Sequence, residues 1–194
     1  MDKESSIRPV ILIVDDNPKN LQVLGTLLKI ENYKIEFAIS GEIALGWLTK
    51  MQFDLILLDI NMPGMNGFEV CKVIRSDSQM NKVPIIFLSA ESDRESILNG
   101  FEVGAQDYVT KPFDSRELLA RVKTHLSLKN SIEKLEELNK SLEDKVSERT
   151  YQLKESNKNL EVANIKLKEL DKAKTDFLRM ISHQIRTPLN GIVG

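Results

Sequence analysis

Leu55-Ile56-Leu57-Leu58-Asp59-Ile60-Asn61-Met62-Pro63-Gly64-Met65-Asn66-Gly67 is the stretch on which the fold turns. Four apolar residues run straight into a carboxylate, and a cluster of Pro, Gly and Asn follows at once. A short apolar run bounded by turn residues reads as a strand covered on both faces, as in a parallel α/β sheet. Such sheets bind ligands beyond the carboxyl ends of their strands. Asp59 falls there, at the last position of its strand. Taken alone it could simply cap the next helix, so its meaning depends on its company.

That company lies on both sides. Val10-Ile11-Leu12-Ile13-Val14 is a second buried-strand run, and it ends in Asp15-Asp16. Asn17-Pro18 then opens a helix, with proline in its favoured first turn, and Leu21, Leu24, Leu27 and Leu28 give that helix one apolar face. Lys34 to Ala38 predicts a short strand, and Ser40-Gly41 starts a helix through Trp47 and Leu48. Asn66-Gly67 starts the helix of Phe68, Cys71 and Ile74. Pro84 to Ser89 predicts a fourth strand ending in a hydroxyl, and a helix follows from about Asp93 to Val103. Asp107 to Lys111 is the fifth strand, ending in a lysine before Pro112. Strands that alternate with helices in this way predict a doubly wound, five-stranded parallel sheet with right-handed crossovers.

Composition narrows the class. With 27 basic and 29 acidic residues the net charge is −2, so no polycation points to nucleic acid. The single cysteine, Cys71, excludes an intramolecular disulfide and suits a reducing compartment; on an apolar helix face it reads as a buried small hydrophobe. No apolar run is long enough to span a bilayer, and the expected location is the cytoplasm.

Beyond Pro112 the chain changes character, with no Gly or Pro until Pro188. Ile132, Asn139, Val146, Leu153, Leu160, Leu167, Lys174 and Ile181 fall on one seven-residue series. Leu135, Leu142, Arg149, Ser156, Ala163, Leu170 and Phe177 fall three residues later. These are the a and d positions of a coiled coil. One unbroken helix from Asp114 to about Gln184 would span roughly 105 Å at about 1.5 Å per residue. Asn139 at an a position favours a parallel homodimer in fixed register. Lys166 and Asp171 of the partner form one attractive pair, and Arg149 with Ser156 leaves a soft middle. Near the end Phe177, Leu178, Met180 and Ile181 widen the stripe beyond what two strands need, which reads as a truncated helical bundle.

The strand ends bring Asp15, Asp16, Asp59, Ser89 and Lys111 to one crevice. Carboxylates that close repel by roughly 4 kcal/mol per pair at about 4 Å and an effective dielectric near 20. Such a cluster needs a cation, and all-oxygen ligation selects Mg²⁺ or another hard ion. Lys111 adds a second positive charge and Ser89 a hydroxyl. Two cations and a donor around one carboxylate suit an incoming phosphoryl group, attacked at phosphorus by Asp59. Singly, each residue has an ordinary reading: Asp15 or Asp16 as a cap, Ser89 in a turn, Tyr108 in the core, Lys111 solvated in a loop.

In this order, Asp15-Asp16, Asp59 in LLDINMPGMNG, Ser89-Ala90 and Tyr108-x-x-Lys111-Pro112-Phe113 resemble a response-regulator receiver domain over residues 8–125. The resemblance implies a flavodoxin-like fold and a role for each position. Asp59 is then the phosphoacceptor. Asp16, Asp59 and the Asn61 carbonyl hold Mg²⁺, with Asp15 acting partly through water. Lys111 and Ser89 meet phosphoryl oxygens, Ser89 and Tyr108 form the switch, and the phosphodonor is a histidine kinase or phosphotransfer protein. Two rival chemistries lack their residues. Asp15 to Asn20 contains no glycine for a dinucleotide or P-loop site, and Asp59-Ile60-Asn61 lacks the second Asp of a haloacid-dehalogenase-type phosphatase.

Phe177 to Asn190, around His183, resembles the H-box that begins the phosphotransfer domain of a histidine kinase. That divides the chain into a receiver (8–125), a parallel coiled-coil linker (126–176) and a truncated first phosphotransfer helix (177–194). His183 falls at an exposed c position as a candidate phosphoacceptor, with Thr187 beside it on the same face, and Pro188 is expected to bend the helix. Gln184 stands where this family usually carries Glu or Asp. An amide cannot take a proton at neutral pH, and no nucleotide motif follows, so His183 is not expected to be phosphorylated from ATP by this chain alone. The alternative is a non-enzymatic docking and dimerisation module with an inactive histidine region. His125 has no motif and is assigned no role. For the parallel pair, a cysteine at Ser156 in a Cys71→Ser background is expected to crosslink to its own symmetry mate; a pair that leaves this position uncrosslinked is not parallel in this register.

Overall fold

The computed structural model describes residues 8–90 and 102–190. Contacts divide the chain into two compact units, Met1–Leu135 and Glu136–Gly194. Five strands make the sheet of the first unit: β1 Val10–Val14, β2 Lys34–Ala38, β3 Leu55–Asp59, β4 Ile85–Ala90 and β5 Asp107–Lys111. All pairings are parallel, in the order β2-β1-β3-β4-β5. The chain moves outward from β1 in one direction to β2 and in the other to β3. The crevice between β1 and β3 is therefore the point where strand order reverses, where doubly wound sheets place their ligands.

Alternation along the strands builds a core on each face. Leu12, Val14, Ile56 and Leu58 pack with Ala44, Val70, Cys71 and Ile74, under helices α2 (Gly41–Leu48) and α3 (Gly67–Ser76). Ile11, Ile13, Leu55 and Leu57 pack with Leu21, Leu24 and Leu28 of α1 (Pro18–Ile30), and with Leu118, Val122 and Leu126 of α4 (Ser115–Asn190). Every position of β3 is buried, as its unbroken apolar run requires. Side chains start the helices: the Asn17 carboxamide accepts from the Lys19 amide, Ser40 accepts from Ile43, and Asn66 and Glu69 close a capping box.

The sequence boundaries hold for β1, β2, β3 and β5. β4 begins at Ile85 rather than Pro84, since proline has no N–H to give a ladder, and it runs on to Ala90. Residues 93–101 of the expected fourth helix lie outside the described residues. α4 continues past Gln184 and through Pro188 to Asn190, because a proline removes one hydrogen bond but need not end a helix already propagating. Among the described residues no helix is long and apolar enough to cross a membrane.

Along the second unit α4 carries an open apolar stripe. Leu142, Val146, Leu153, Leu160, Leu167 and Phe177 are all exposed, and Leu170 is 72% so. These are apolar a and d residues of the heptad.

In the first unit α4 is held by ion pairs as well as by its apolar face. Arg121 and His125 both reach Asp107 at the start of β5, at 2.6 and 3.0 Å. Burial alone would raise the Asp107 carboxyl, but the hydrogen bonds from Arg121 and His125 outweigh it and leave the group below its usual range. A carboxyl depressed on folding contributes stability above its unfolded value and loses it as pH falls through the folded value. Urea midpoints are accordingly expected to drop on acidification below the ordinary carboxylate range. Asp107→Asn is expected to lower the neutral-pH midpoint and to flatten this acid limb.

Candidate functional site

Three carboxylates meet at the carboxyl edge of the sheet. Asp15 and Asp16 follow β1, Asp59 ends β3, and one oxygen from each lies within 4.8 Å of the others. Asp15 is completely buried, Asp59 nearly so, and Asp16 is exposed. Lys111, the last residue of β5, donates to both buried acids: its Nζ stands 2.8 Å from Asp15 Oδ2 and 2.9 Å from Asp59 Oδ2. The Lys111–Pro112 peptide bond is cis. Burial raises the Asp59 carboxyl above its usual value, and the Asp15 charge adds to this, while Lys111 opposes it. Burial alone would lower the Lys111 ammonium, but hydrogen bonds to Asp15 and Asp59 leave it raised.

The three acids are not equivalent. Asp15 is saturated from the protein side: Oδ1 accepts from the Asn17 amide at 2.9 Å, the Asn20 carboxamide donates to both oxygens, and Lys111 takes Oδ2. Asp16 and Asp59 are thus better placed as direct ligands of a hard cation, with Asp15 orienting Lys111. The Asn61 amide donates to Asp59 Oδ1 at 3.4 Å, which holds the loop after β3 against the carboxylate. Gly67 brings the loop back. Its amide donates to the Ile60 carbonyl at 2.9 Å, and a Cβ there would lie 2.3 Å from the Asp59 carbonyl oxygen.

Asp15, Asp16, Asp59 and Lys111 are therefore brought together. Ser89 is buried on β4 one residue beyond Leu88, which pairs with Asp59, so it reaches the same edge. Tyr108 lies lower on its strand, paired with Phe87, and its ring stands 5.8 Å from the Arg121 guanidinium. Cys71 is buried, and burial pushes its thiol up. α4 includes positions 183 and 187, but the side chains of His183, Gln184 and Thr187 lie outside the described residues. Asn20 escaped the reading of the sequence, although it lies in the first turn of the helix that follows Asp15.

Known proteins match this arrangement. The response regulator receiver domain family matches residues 11–123. The chain belongs to that family. As a receiver it works in two-component signalling. It is 42% identical over 121 residues to the DNA-binding response regulator MtrA of Mycolicibacterium smegmatis, covering 62% of this chain and 52% of that protein. Hybrid signal transduction histidine kinase D of Dictyostelium discoideum is 34% identical over 200 residues, which is 96% of this chain and 12% of that protein. The crystal structure of a putative response regulator from Chloroflexus aurantiacus, 37% identical, covers 62% of this chain with a TM-score of 0.61, and 98% of its own length is matched. The chain thus spans about half or less of the curated relatives named here.

Gly67 is the position where a side chain disturbs the site most directly. Gly67→Ala has to push back the end of β3, and overpacking of this kind costs about 1–3 kcal/mol. The urea midpoint is expected to fall accordingly, while Gly46→Ala, with open space around its Cβ, leaves it unchanged or raised.

Proposed function

We propose that Asp59 accepts a phosphoryl group from a phosphohistidine or a small acyl phosphate. The observation that carries this reading is the bridging of Asp15 and Asp59 by Lys111 beside an exposed third acid. A carboxylate oxygen of Asp59 bonds to phosphorus, and the phosphorus–nitrogen or phosphorus–oxygen bond to the donor breaks in line, its electron pair leaving with the donor. Lys111 then has one partner, Asp15, to hold it while its ammonium turns to a phosphoryl oxygen. Ser89 donates its hydroxyl to another, and Tyr108 follows Ser89 as the switch. All-oxygen donors on Asp16, Asp59 and the Asn61 carbonyl suit Mg²⁺, which when bound neutralises charge on the transferred group.

The same reading extends along the chain. Residues 8–125 act as the receiver, 126–176 as a parallel coiled-coil linker between two copies, and 177–194 as the start of a phosphotransfer helix with His183 as acceptor and Thr187 beside it. The exposed a and d stripe supports the dimer, because a helix with that much apolar surface gains by pairing. A histidine kinase or phosphotransfer protein in the cytoplasm is the partner.

The deciding measurement is modification of the intact chain. Incubation with acetyl phosphate and Mg²⁺ is expected to add one phosphoryl group by intact mass, and beryllofluoride is expected to bind. Removing Mg²⁺ with a chelator, or replacing Asp59→Asn, is expected to abolish both. Equal labelling of Asp59→Asn refutes the assignment.

A further inference from the structure

Two strands of the receiver carry a site group at one end and a gripping carboxylate at the other. β3 ends in Asp59 and is preceded by Asp54, whose Oδ1 lies 2.5 Å from Lys129 Nζ on α4. β5 ends in Lys111 and begins with Asp107, which holds Arg121 and His125 of the same helix at 2.6 and 3.0 Å. Each strand is five residues long. The heads of the two strands are joined by the Lys111–Asp59 contact at 2.9 Å, and their feet are joined through α4.

Asp54 is firmly seated. Its Oδ2 accepts from the Val10 amide at 2.8 Å, and its own amide donates to the Val10 carbonyl at 2.8 Å, so the foot of β3 is locked to that of β1. Lys129 is 20% exposed and is also paired with Glu133 at 3.2 Å, which aims its ammonium. His125 is 12% exposed, and its Nδ1 is buried without a hydrogen-bond partner, so the ring is held from the Asp107 side. A third pair, Lys123 with Glu31 at 2.6 Å, grips the same helix from the end of α1, away from the feet of β3 and β5. That pair is a natural control.

We propose that β3 and β5 act as paired struts, so that a phosphoryl group on Asp59, by drawing Lys111, shifts the two strands relative to each other and delivers that shift to α4 at Lys129 and at Arg121 and His125. Close-packed strands pass displacement along their length rather than absorbing it. The two grips fall one to two turns apart on α4, so unequal movement of the feet turns or tilts the helix instead of merely translating it. This rests on the reading of Asp59 as the phosphoacceptor.

Hydrogen exchange on the intact chain, with and without beryllofluoride and Mg²⁺, separates the two ideas. Peptides over residues 59–67 report the site, and peptides over 119–133 report α4. In the wild type both are expected to change. In Asp54→Asn and in Lys129→Met, which keeps the aliphatic stem, the site change is expected to persist and the α4 change to be lost. Arg121→Met is expected to weaken the α4 change through the other strut, whereas Lys123→Met is expected to keep both. Survival of the α4 change in Asp54→Asn and Lys129→Met overturns the struts, as does its equal loss in Lys123→Met. So does a wild type that changes at the site but not along α4. Absence of any change at residues 59–67 in the wild type overturns the phosphoacceptor reading, and the struts with it.

Discussion

One ammonium group holds the site together. Lys111 Nζ lies between two buried carboxylates that would otherwise face each other across the crevice, and it does so from a strand that neighbours neither β1 nor β3. The arrangement is stable enough to fold but leaves Asp59 ill at ease, since burial raises its carboxyl even with the lysine present. Desolvated charge of this kind is retained where chemistry needs it. The sheet order makes the geometry possible, because only the carboxyl edge of β1, β3 and β5 can bring three separate parts of the chain to one cation.

α4 answers a different constraint. Its first three turns close the core on one face of the sheet with Leu118, Val122 and Leu126, while Leu128 and Ile132 already lie exposed on another side. The helix therefore changes its surroundings without changing structure. The receiver fold uses it as a covering helix, and past Leu135 the apolar heptad side chains are exposed as far as Phe177. Ion pairs to Glu31, Asp54 and Asp107 are concentrated between Arg121 and Lys129, before the exposed stripe of the second unit begins.

Much of this was legible in the sequence for physical reasons. Buried parallel strands are continuous apolar runs, so β1 and β3 could be bounded to the residue, and the acids that end them stand out against that background. Lys111 was legible because a strand-end lysine before Pro112 sits opposite those acids in a doubly wound sheet. The grip of Asp54 on Lys129 was not, since 75 residues separate the partners and a lysine on a helix reads as solvated. The Asp107, Arg121 and His125 cluster was hidden in the same way. A lone histidine on a charged helix gives no sign that its ring is almost covered. Asn20 was missed because an amide in a first helical turn looks like a surface residue, whereas here it clamps both oxygens of Asp15.

The open stripe on α4 has a bearing on abundance. A helix beyond the reach of a core is marginal in water, since propensity alone seldom outweighs the entropy of ordering it. The receiver closes its own core, whereas on the proposed parallel pairing the stretch from Glu136 onward would gain its order from a second strand. Its helicity would then be governed by mass action, rising with the amount of chain present. On that pairing copy number would become an input in its own right, since the order of the segment after the receiver would depend on how much chain is present.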